Sequence, residues 1–134
     1  MENQGYARNA GAVFSLKYHL VFCPKYRKPV LQGPVAARLK TLLADKATAL
    51  QVTLHTLEVM PDHVHMFVES DPGIAPAKLA AQFKGYTSRV LRQEFGHLRS
   101  RLPSLWSRSY YIGSVGHVSE ATVRRYIESQ QGRH

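Results

Sequence analysis

The chain has 134 residues, with 18 Lys and Arg against 9 Asp and Glu, which gives a formal net charge of +9. The length predicts about one domain, and the apolar content of 44% is typical of a globular chain rather than a disordered one. No apolar run approaches the ~18 residues of a membrane span, and residues 1–11 lack the apolar core of a secretory signal.

The single cysteine, Cys23, excludes an intrachain disulfide and argues against a cysteine-based zinc cluster. We therefore expect a reduced, cytoplasmic protein. A positive charge this large on one small domain predicts an anionic partner, with nucleic acid as the first candidate and a membrane surface as the second.

The chain is predicted to begin with an arm and a strand. Residues 1–12 are polar and aperiodic, and we expect them to form a mobile arm ahead of a single domain over residues 13–134. From Phe14 to Phe22 every second residue is a large apolar or aromatic one, and this period of two predicts a strand with one buried face.

A basic loop over residues 24–29 leads into a helix that begins near Pro34 and carries leucines at helical spacing. Residues 52–60 and 63–69 are predicted to be strands. The Pro-Asp turn at residues 61–62 is short enough to join them as an antiparallel hairpin.

The second half of the chain is predicted to contain a helix over residues 75–95, a basic loop over 96–107, a strand over 110–115 and a last helix that ends near residue 131. The order β-α-β-β-α-β with a C-terminal helix is that of an α+β, ferredoxin-like antiparallel sheet with helices on one face. The other face of such a sheet is a common nucleic-acid surface.

His63 and His65 are the first candidate pair for chemistry. Two residues apart on a strand, their side chains leave the same face, and two such imidazoles can share one metal ion. Asp62 could orient one imidazole through its second ring nitrogen. The alternative is two polar residues on the solvated face of a half-buried strand, with Asp62 only a turn residue.

Tyr126 and Gln130 are the second candidate pair, because residues at i and i+4 lie one turn apart on the same helix face. A phenol attacks a phosphodiester only if its pKa of about 10 is offset, and a divalent cation on the phosphate helps. Gln130 could add an oxygen ligand to the metal that the histidines hold. The alternative is a packed tyrosine whose hydroxyl lies at the rim of an apolar stripe.

Basic residues form three groups, and two of these surround an aromatic side chain. Cations interleaved with rings suit single-stranded nucleic acid, since the charges follow its backbone and the rings stack on its bases. A solvated basic surface is the alternative for any one group. The residues predicted to contact DNA are Lys25, Arg27, Lys28, Lys84, Arg89 and Arg108. His19 has no metal-site spacing and is interpreted as structural.

Four stretches together resemble the single-tyrosine, histidine–hydrophobic–histidine (HUH) transposases of the smallest bacterial insertion sequences, the IS200-like transposases. The stretches are YHLVFCPKYR at 18–27, PDHVH at 61–65, FKG at 83–85 and RYIESQ at 125–130. The likeness extends from about Leu16 to Gln130. The PDHVH strand together with Tyr-x-x-x-Gln on the last helix is more specific than either motif alone.

The resemblance implies that His63, His65 and Gln130 are ligands of Mg²⁺ or Mn²⁺, and that Tyr126 is the nucleophile. Tyr126 then attacks a phosphodiester of single-stranded DNA and leaves a 5′-phosphotyrosine and a free 3′-hydroxyl. Later attack by a 3′-hydroxyl rejoins strands, so that one transfer is divided into two steps.

The resemblance also implies partners. The DNA is expected to have hairpin ends, and the protein is expected to be a homodimer in which the tyrosine helix can complete the site of the other subunit. Gly116 precedes that helix and is predicted to be its hinge, because glycine tolerates hinge geometries.

Three other functions stay open at this point. A domesticated transposase that acts on repetitive palindromes and a small relaxase-like nickase would share the same site. A non-enzymatic RNA-binding module would share the topology alone, but it would carry aromatic rings on its central strands. This chain has His63 and His65 there, with Phe67 as the neighbouring ring.

Overall fold

A four-stranded antiparallel sheet organises the computed structural model, which describes residues 7–9, 12–114 and 120–130. The strands are β1 (Ala7–Asn9), β2 (Ala12–Phe14), β3 (Leu16–Phe22), β4 (Thr53–Met60), β5 (His63–Ser70) and β6 (Tyr111–Ser114). The helices are α1 (Gly33–Ala49), α2 (Pro76–Glu94), α3 (Gly96–Arg101) and α4 (Glu120–Ser129). Across the main sheet the order is β4-β5-β3-β6, and β1 pairs with β2 separately.

The predicted α+β, ferredoxin-like fold is confirmed. The main sheet is formed by β3, β4, β5 and β6, and α1 and α2 occupy the two crossover positions of the β-α-β-β-α-β order. Every pairing within this sheet is antiparallel, and α4 follows as the appended helix. None of the helices in the described ranges is long and apolar enough to cross a membrane.

The core lies between one face of the sheet and helices α1 and α2. Alternate strand residues enter it because successive side chains of a strand point to opposite faces. The strand and helix residues that are fully or almost fully buried there include Tyr18, Leu20, Phe22, Val64, Met66, Val68, Leu39, Leu42, Leu43, Leu79, Phe83 and Leu91. The opposite, open face therefore receives the other half of each strand, which includes His63 and His65.

The first strand differs from its prediction. The alternation from Phe14 to Phe22 is interrupted at Ser15, and Leu16 is 39% exposed instead of buried. Ser15 lies between β2 and β3, outside the ladder, and its hydroxyl donates a 2.7 Å hydrogen bond to Glu69 Oε2. Part of the predicted arm, residues 1–12, is also paired: β1 and β2 form a short hairpin with Ala7 opposite Phe14.

The predicted loop over residues 96–107 is wrong in its first half, where α3 forms. Leu98 is completely buried, so packing of this one apolar side chain fixes a turn of helix that the basic composition did not indicate. The second half of the segment stays irregular and contributes Trp106, whose ring meets that of Phe22 edge to face at 4.6 Å between centroids.

Candidate active site

His63 and His65 lie on the open face of β5, as their spacing predicts. Their strand neighbours Val64 and Met66 are completely buried, whereas the two imidazoles are 20% and 26% exposed. His65 is opposite Val21 of β3, so the pair lies near the middle of the sheet.

Asp62 supports His63 from the turn between β4 and β5. Its Oδ1 accepts a hydrogen bond from His63 Nδ1 at 2.9 Å, and its Oδ2 lies 2.9 Å from Arg27 Nε. A carboxylate that holds the Nδ1 proton leaves Nε2 of the same ring with its lone pair. His63 is therefore oriented to ligate through Nε2.

His19 is a third histidine of this face, and the sequence interpretation missed its contact. His19 Nδ1 lies 2.9 Å from His65 Nε2, and the His19 ring stacks on Phe67 at 5.0 Å between centroids. Burial lowers the pKa of His65, and the neighbouring His19 lowers it further. His65 is therefore a neutral imidazole at neutral pH. The sequence does contain a signal for this contact. Leu20 is a core residue, so its neighbour His19 must point to the opposite, open face, where His65 also lies.

Tyr126 is brought to the open face by α4. Its hydroxyl lies 3.2 Å from Ser109 Oγ, and its ring centroid lies 6.3 Å from that of Tyr111 on β6. Burial raises the pKa of Tyr126, the hydrogen bond with Ser109 offsets part of that rise, and the resulting pKa is about 12. The phenol is protonated at neutral pH, so attack by its oxygen requires a group that stabilises the phenolate.

Gln130 is buried at the end of the same helix. Its Oε1 accepts hydrogen bonds from Ser107 Oγ at 2.9 Å and from Ser109 Oγ at 2.8 Å. The predicted spacing of Tyr126 and Gln130 does place both residues on one helix face, and Ser109 contacts both. In this arrangement the amide oxygen of Gln130 is bound to hydroxyl groups.

Lys84 holds the segment that carries these two serines. Its Nζ donates to the carbonyl oxygens of Ser107, Arg108 and Ser109 at 2.8, 3.3 and 3.2 Å. Burial lowers the pKa of Lys84 from 10.5 to about 8. Its predicted contact with a DNA phosphate stays a prediction, but in the structure the ammonium group is bound to this segment.

Lys84→Met should lower the free energy of unfolding by about 1–3 kcal/mol, because three carbonyls lose a shared donor. Between pH 8 and 10.5 the unfolded chain binds more protons than the folded chain, so wild-type stability contains a contribution that grows with pH there. The stability difference between wild type and variant should therefore increase over this range in urea unfolding. Lys78→Met, at an exposed position of the same helix, is the control. A difference that stays constant with pH would contradict the assignment.

The other basic residues predicted to contact DNA differ in exposure. Lys28, Arg89 and Arg108 are exposed, and Lys25 is half-buried with its Nζ 5.8 Å from the Tyr26 ring centroid. Arg89 lies over the Tyr86 ring at 5.6 Å, so a cation and an aromatic ring are adjacent on α2. Their contacts with DNA stay predictions, and the predicted hinge, Gly116, lies outside the described residues.

The residues fit a divalent metal in part. His63 is held with Nε2 directed away from its carboxylate, and His65 shares its face. The Gln130 oxygen would have to leave Ser107 and Ser109 before it could act as a third ligand. Within the described ranges, no three His, Cys, Asp or Glu side chains are grouped to hold a metal, so further ligands would have to come from Gln130, DNA or solvent.

A ferredoxin-like sheet with a histidine pair on its open face, and a tyrosine docked there on an appended helix, is the arrangement expected of a tyrosine transposase. The chain belongs to the family described as "Transposase IS200 like", whose profile matches residues 12–130. Membership of this family implies DNA cleavage and strand transfer.

Relatives agree with that assignment. The chain is 38% identical over 128 residues to the ISDra2 transposase TnpA of Deinococcus radiodurans, covering 94% of this chain and 91% of the relative. It is 30% identical to the transposase for insertion sequence element IS200 of Salmonella typhimurium, over 87% of this chain and 78% of that protein.

Two solved structures share the fold. One, from Deinococcus radiodurans R1 and named provisionally as a transposase, has a TM-score of 0.85 at 34% identity, with 98% of this chain and 99% of that chain covered. The other is a REP-associated tyrosine transposase bound to a REP hairpin, with a TM-score of 0.56 over 96% of this chain and 68% of that one. At 9% identity, the second shows the fold alone.

Proposed function

We propose that the chain cleaves and rejoins single-stranded DNA at insertion-sequence ends through a 5′-phosphotyrosine intermediate. The observation that carries this proposal is the docking of α4 on the open face of the sheet. That docking brings Tyr126 and Gln130 to the face that carries His63 and His65, although more than 60 positions of sequence separate the two pairs.

Cleavage is an exchange of one phosphoester for another. The Tyr126 oxygen attacks the phosphorus, the bond from phosphorus to the 3′-oxygen breaks, and the phenolic proton is lost as the 3′-oxygen gains one. The products are a tyrosine ester of the 5′-phosphate and a free 3′-hydroxyl. The number of phosphoester bonds does not change in this step. Attack by a 3′-hydroxyl on the phosphotyrosine can therefore rejoin DNA and release Tyr126 without another energy source.

Mg²⁺ or Mn²⁺, held by His63, His65 and Gln130, would withdraw charge from the scissile phosphate and align it. The protein residues have separate tasks. Asp62 fixes the His63 tautomer, and Ser109 holds the Tyr126 hydroxyl until the phosphate arrives. Two imidazoles are softer ligands than Mg²⁺ usually prefers, which favours Mn²⁺ as the tighter-binding ion.

The test is an adduct assay with a 5′-labelled and a 3′-labelled single-stranded hairpin oligonucleotide. Purified protein with Mn²⁺ should retain the label on the 3′ side of the cut, and chelation should stop the reaction. A fully duplex oligonucleotide of the same sequence should give no adduct. Retention of the 5′ label instead would contradict a 5′-phosphotyrosine.

The DNA partner is proposed to be a single strand with hairpin ends. The net charge of +9 and the cation–aromatic neighbours on α2 and around Tyr26 support such a strand. Because the chain is 38% identical to one insertion-sequence transposase and 30% identical to another, we favour this biology over a domesticated, palindrome-associated enzyme or a relaxase-like nickase. Family membership likewise favours a transposase over a non-enzymatic RNA-binding module.

We also propose a homodimer in which the tyrosine helix can complete the site of the other subunit. Gly116→Pro should then impair strand transfer at least tenfold more than hairpin binding, because proline restricts the connection to α4. Strand transfer and equilibrium binding would be measured on the same DNA. Ser114→Ala, at the exposed end of β6, is the control. Equal losses in both measurements would count against the hinge.

A further inference from the structure

Arg27 lies between the two parts of the candidate active site. Its Nε is 2.9 Å from Asp62 Oδ2, and its Nη1 donates to the backbone carbonyl of Ile127 at 3.0 Å. The other oxygen of Asp62 contacts His63 Nδ1 at 2.9 Å. One guanidinium group therefore connects a candidate metal-binding histidine of β5 with the residue that follows Tyr126 on α4.

The contact with α4 is made where a cation is most favourable. Ile127 is in the last turn of the helix, where the helix dipole is negative, and its carbonyl oxygen also accepts a 3.1 Å hydrogen bond from Gln130 N. The described helix has no basic residue of its own in that turn, so Arg27 provides the charge from another part of the chain. Because Ile127 is adjacent to Tyr126, this hydrogen bond fixes the turn that carries the phenol.

The backbone that presents Arg27 is strained. Tyr26 and Arg27 have φ values of 60° and 53°, in the left-handed region that residues with a Cβ seldom occupy. Such residues are energetically unfavourable and persist where surrounding contacts hold them. Here the turn is closed by hydrogen bonds from Arg27 N to Pro24 O and from Lys25 N to Leu105 O, both at 2.8 Å.

The side chain of Arg27, whose predicted contact with DNA stays a prediction, is largely buried. It is 19% exposed and has two of its donor nitrogens engaged by Asp62 and Ile127. Lys28, on the same turn, is exposed. The turn therefore separates its cations, with Lys28 toward solvent and Arg27 toward the site.

We propose that Arg27 is a positioning residue that couples the histidine pair to Tyr126. It holds Asp62 against His63 and the last turn of α4 against the sheet through one planar, five-donor group. Lysine cannot replace it, because an ammonium point charge cannot keep both contacts in a fixed geometry. The assignment rests on the proposed function, since it gives Arg27 a part in cleavage by Tyr126.

Arg27→Lys separates this role from phosphate binding, because it keeps the positive charge and removes the planar guanidinium group that contacts both Asp62 and Ile127. Three quantities would be measured: the Kd for the hairpin strand and its salt dependence, the single-turnover cleavage rate at saturating protein, and hydrogen exchange of residues 120–130 in the free protein. We expect an unchanged Kd and salt slope, cleavage slower by about 10- to 100-fold, and faster exchange in α4. The matched control, Lys28→Ala, should lower the salt slope by about 0.7 and leave exchange in α4 unchanged.

Asp62→Asn keeps the size of the side chain and removes the carboxylate charge, so it provides a second test. If Arg27 acts through Asp62, the double variant should cleave little more slowly than the slower single variant. Fully additive losses would overturn the coupling, as would wild-type cleavage and wild-type exchange in Arg27→Lys. A lower salt slope in Arg27→Ala with unchanged exchange would make Arg27 a phosphate contact instead.

The exchange measurement needs neither DNA nor metal, so it tests Arg27 independently of the chemistry. If wild type forms no adduct, the proposed function fails, and exchange in Arg27→Lys still shows whether Arg27 holds α4. If wild type forms the adduct and Arg27→Lys leaves both exchange and rate unchanged, only the role of Arg27 is wrong.

Discussion

Tyr126→Phe should abolish the covalent protein–DNA adduct while leaving hairpin binding within about twofold of wild type. The substitution removes one oxygen, and phenylalanine has no other atom that can form a phosphoester. The Tyr126 hydroxyl hydrogen bonds to Ser109 Oγ, and loss of this bond should cost about 0.5–1.5 kcal/mol of folding stability. Denaturing gels with labelled DNA measure the adduct, and fluorescence anisotropy measures the binding.

Tyr111→Phe is the matched control for this result. Tyr111 lies on β6 with its ring 6.3 Å from that of Tyr126, so it is the neighbouring phenol most able to substitute for it. The control should form the adduct at nearly the wild-type rate. Adduct formation by Tyr126→Phe would show that the nucleophile is another residue, and peptide mapping of the DNA-linked fragment would identify it.

His63→Ala should reduce the cleavage rate by about three orders of magnitude or more and weaken Mn²⁺ binding. The expectation follows from the several kcal/mol that a Lewis acid contributes to a developing charge on phosphate, at about 1.4 kcal/mol for each factor of ten. Isothermal titration with Mn²⁺ measures binding without DNA, and the adduct assay measures the rate. His63 lies on the open face of the sheet and outside the apolar core, so the variant should still unfold cooperatively, which a thermal melt would check.

His97→Ala is the control for removal of one imidazole, because His97 is exposed on α3 outside the histidine face. It should keep both Mn²⁺ binding and cleavage. If His63→Ala binds Mn²⁺ as wild type does, the metal is held elsewhere. If it also cleaves normally, the histidine pair is a polar feature of an open sheet face and has no part in the reaction.

Local periodicity was sufficient to predict most of the fold. Alternation marked β5, the Pro61-Asp62 turn marked its hairpin with β4, and the two-residue spacing placed His63 and His65 on one face. Helical spacing likewise placed Gln130, which directly follows α4, on the side that carries Tyr126. These features depend on residues a few positions apart, so a single sequence contains the information for them.

The partners of those side chains depended on contacts between distant segments. His19 meets His65 only because β3 and β5 align in one particular register, 46 positions apart. The three carbonyls around Lys84 belong to an irregular segment with no local signal of that geometry. Arg27 turns inward because two residues without glycine's freedom adopt positive φ, and sequence gives no indication of that strain.

The position of α4 has a consequence for protein synthesis. The ribosome makes the strand with His63 and His65 well before it makes Tyr126, and the helix reaches the sheet only after a further 50 or more residues have been added. A chain interrupted between these positions would carry the histidine face and much of the basic surface but no nucleophile. Under the proposed function, we expect such a fragment to bind DNA without cutting it and to compete with the intact protein.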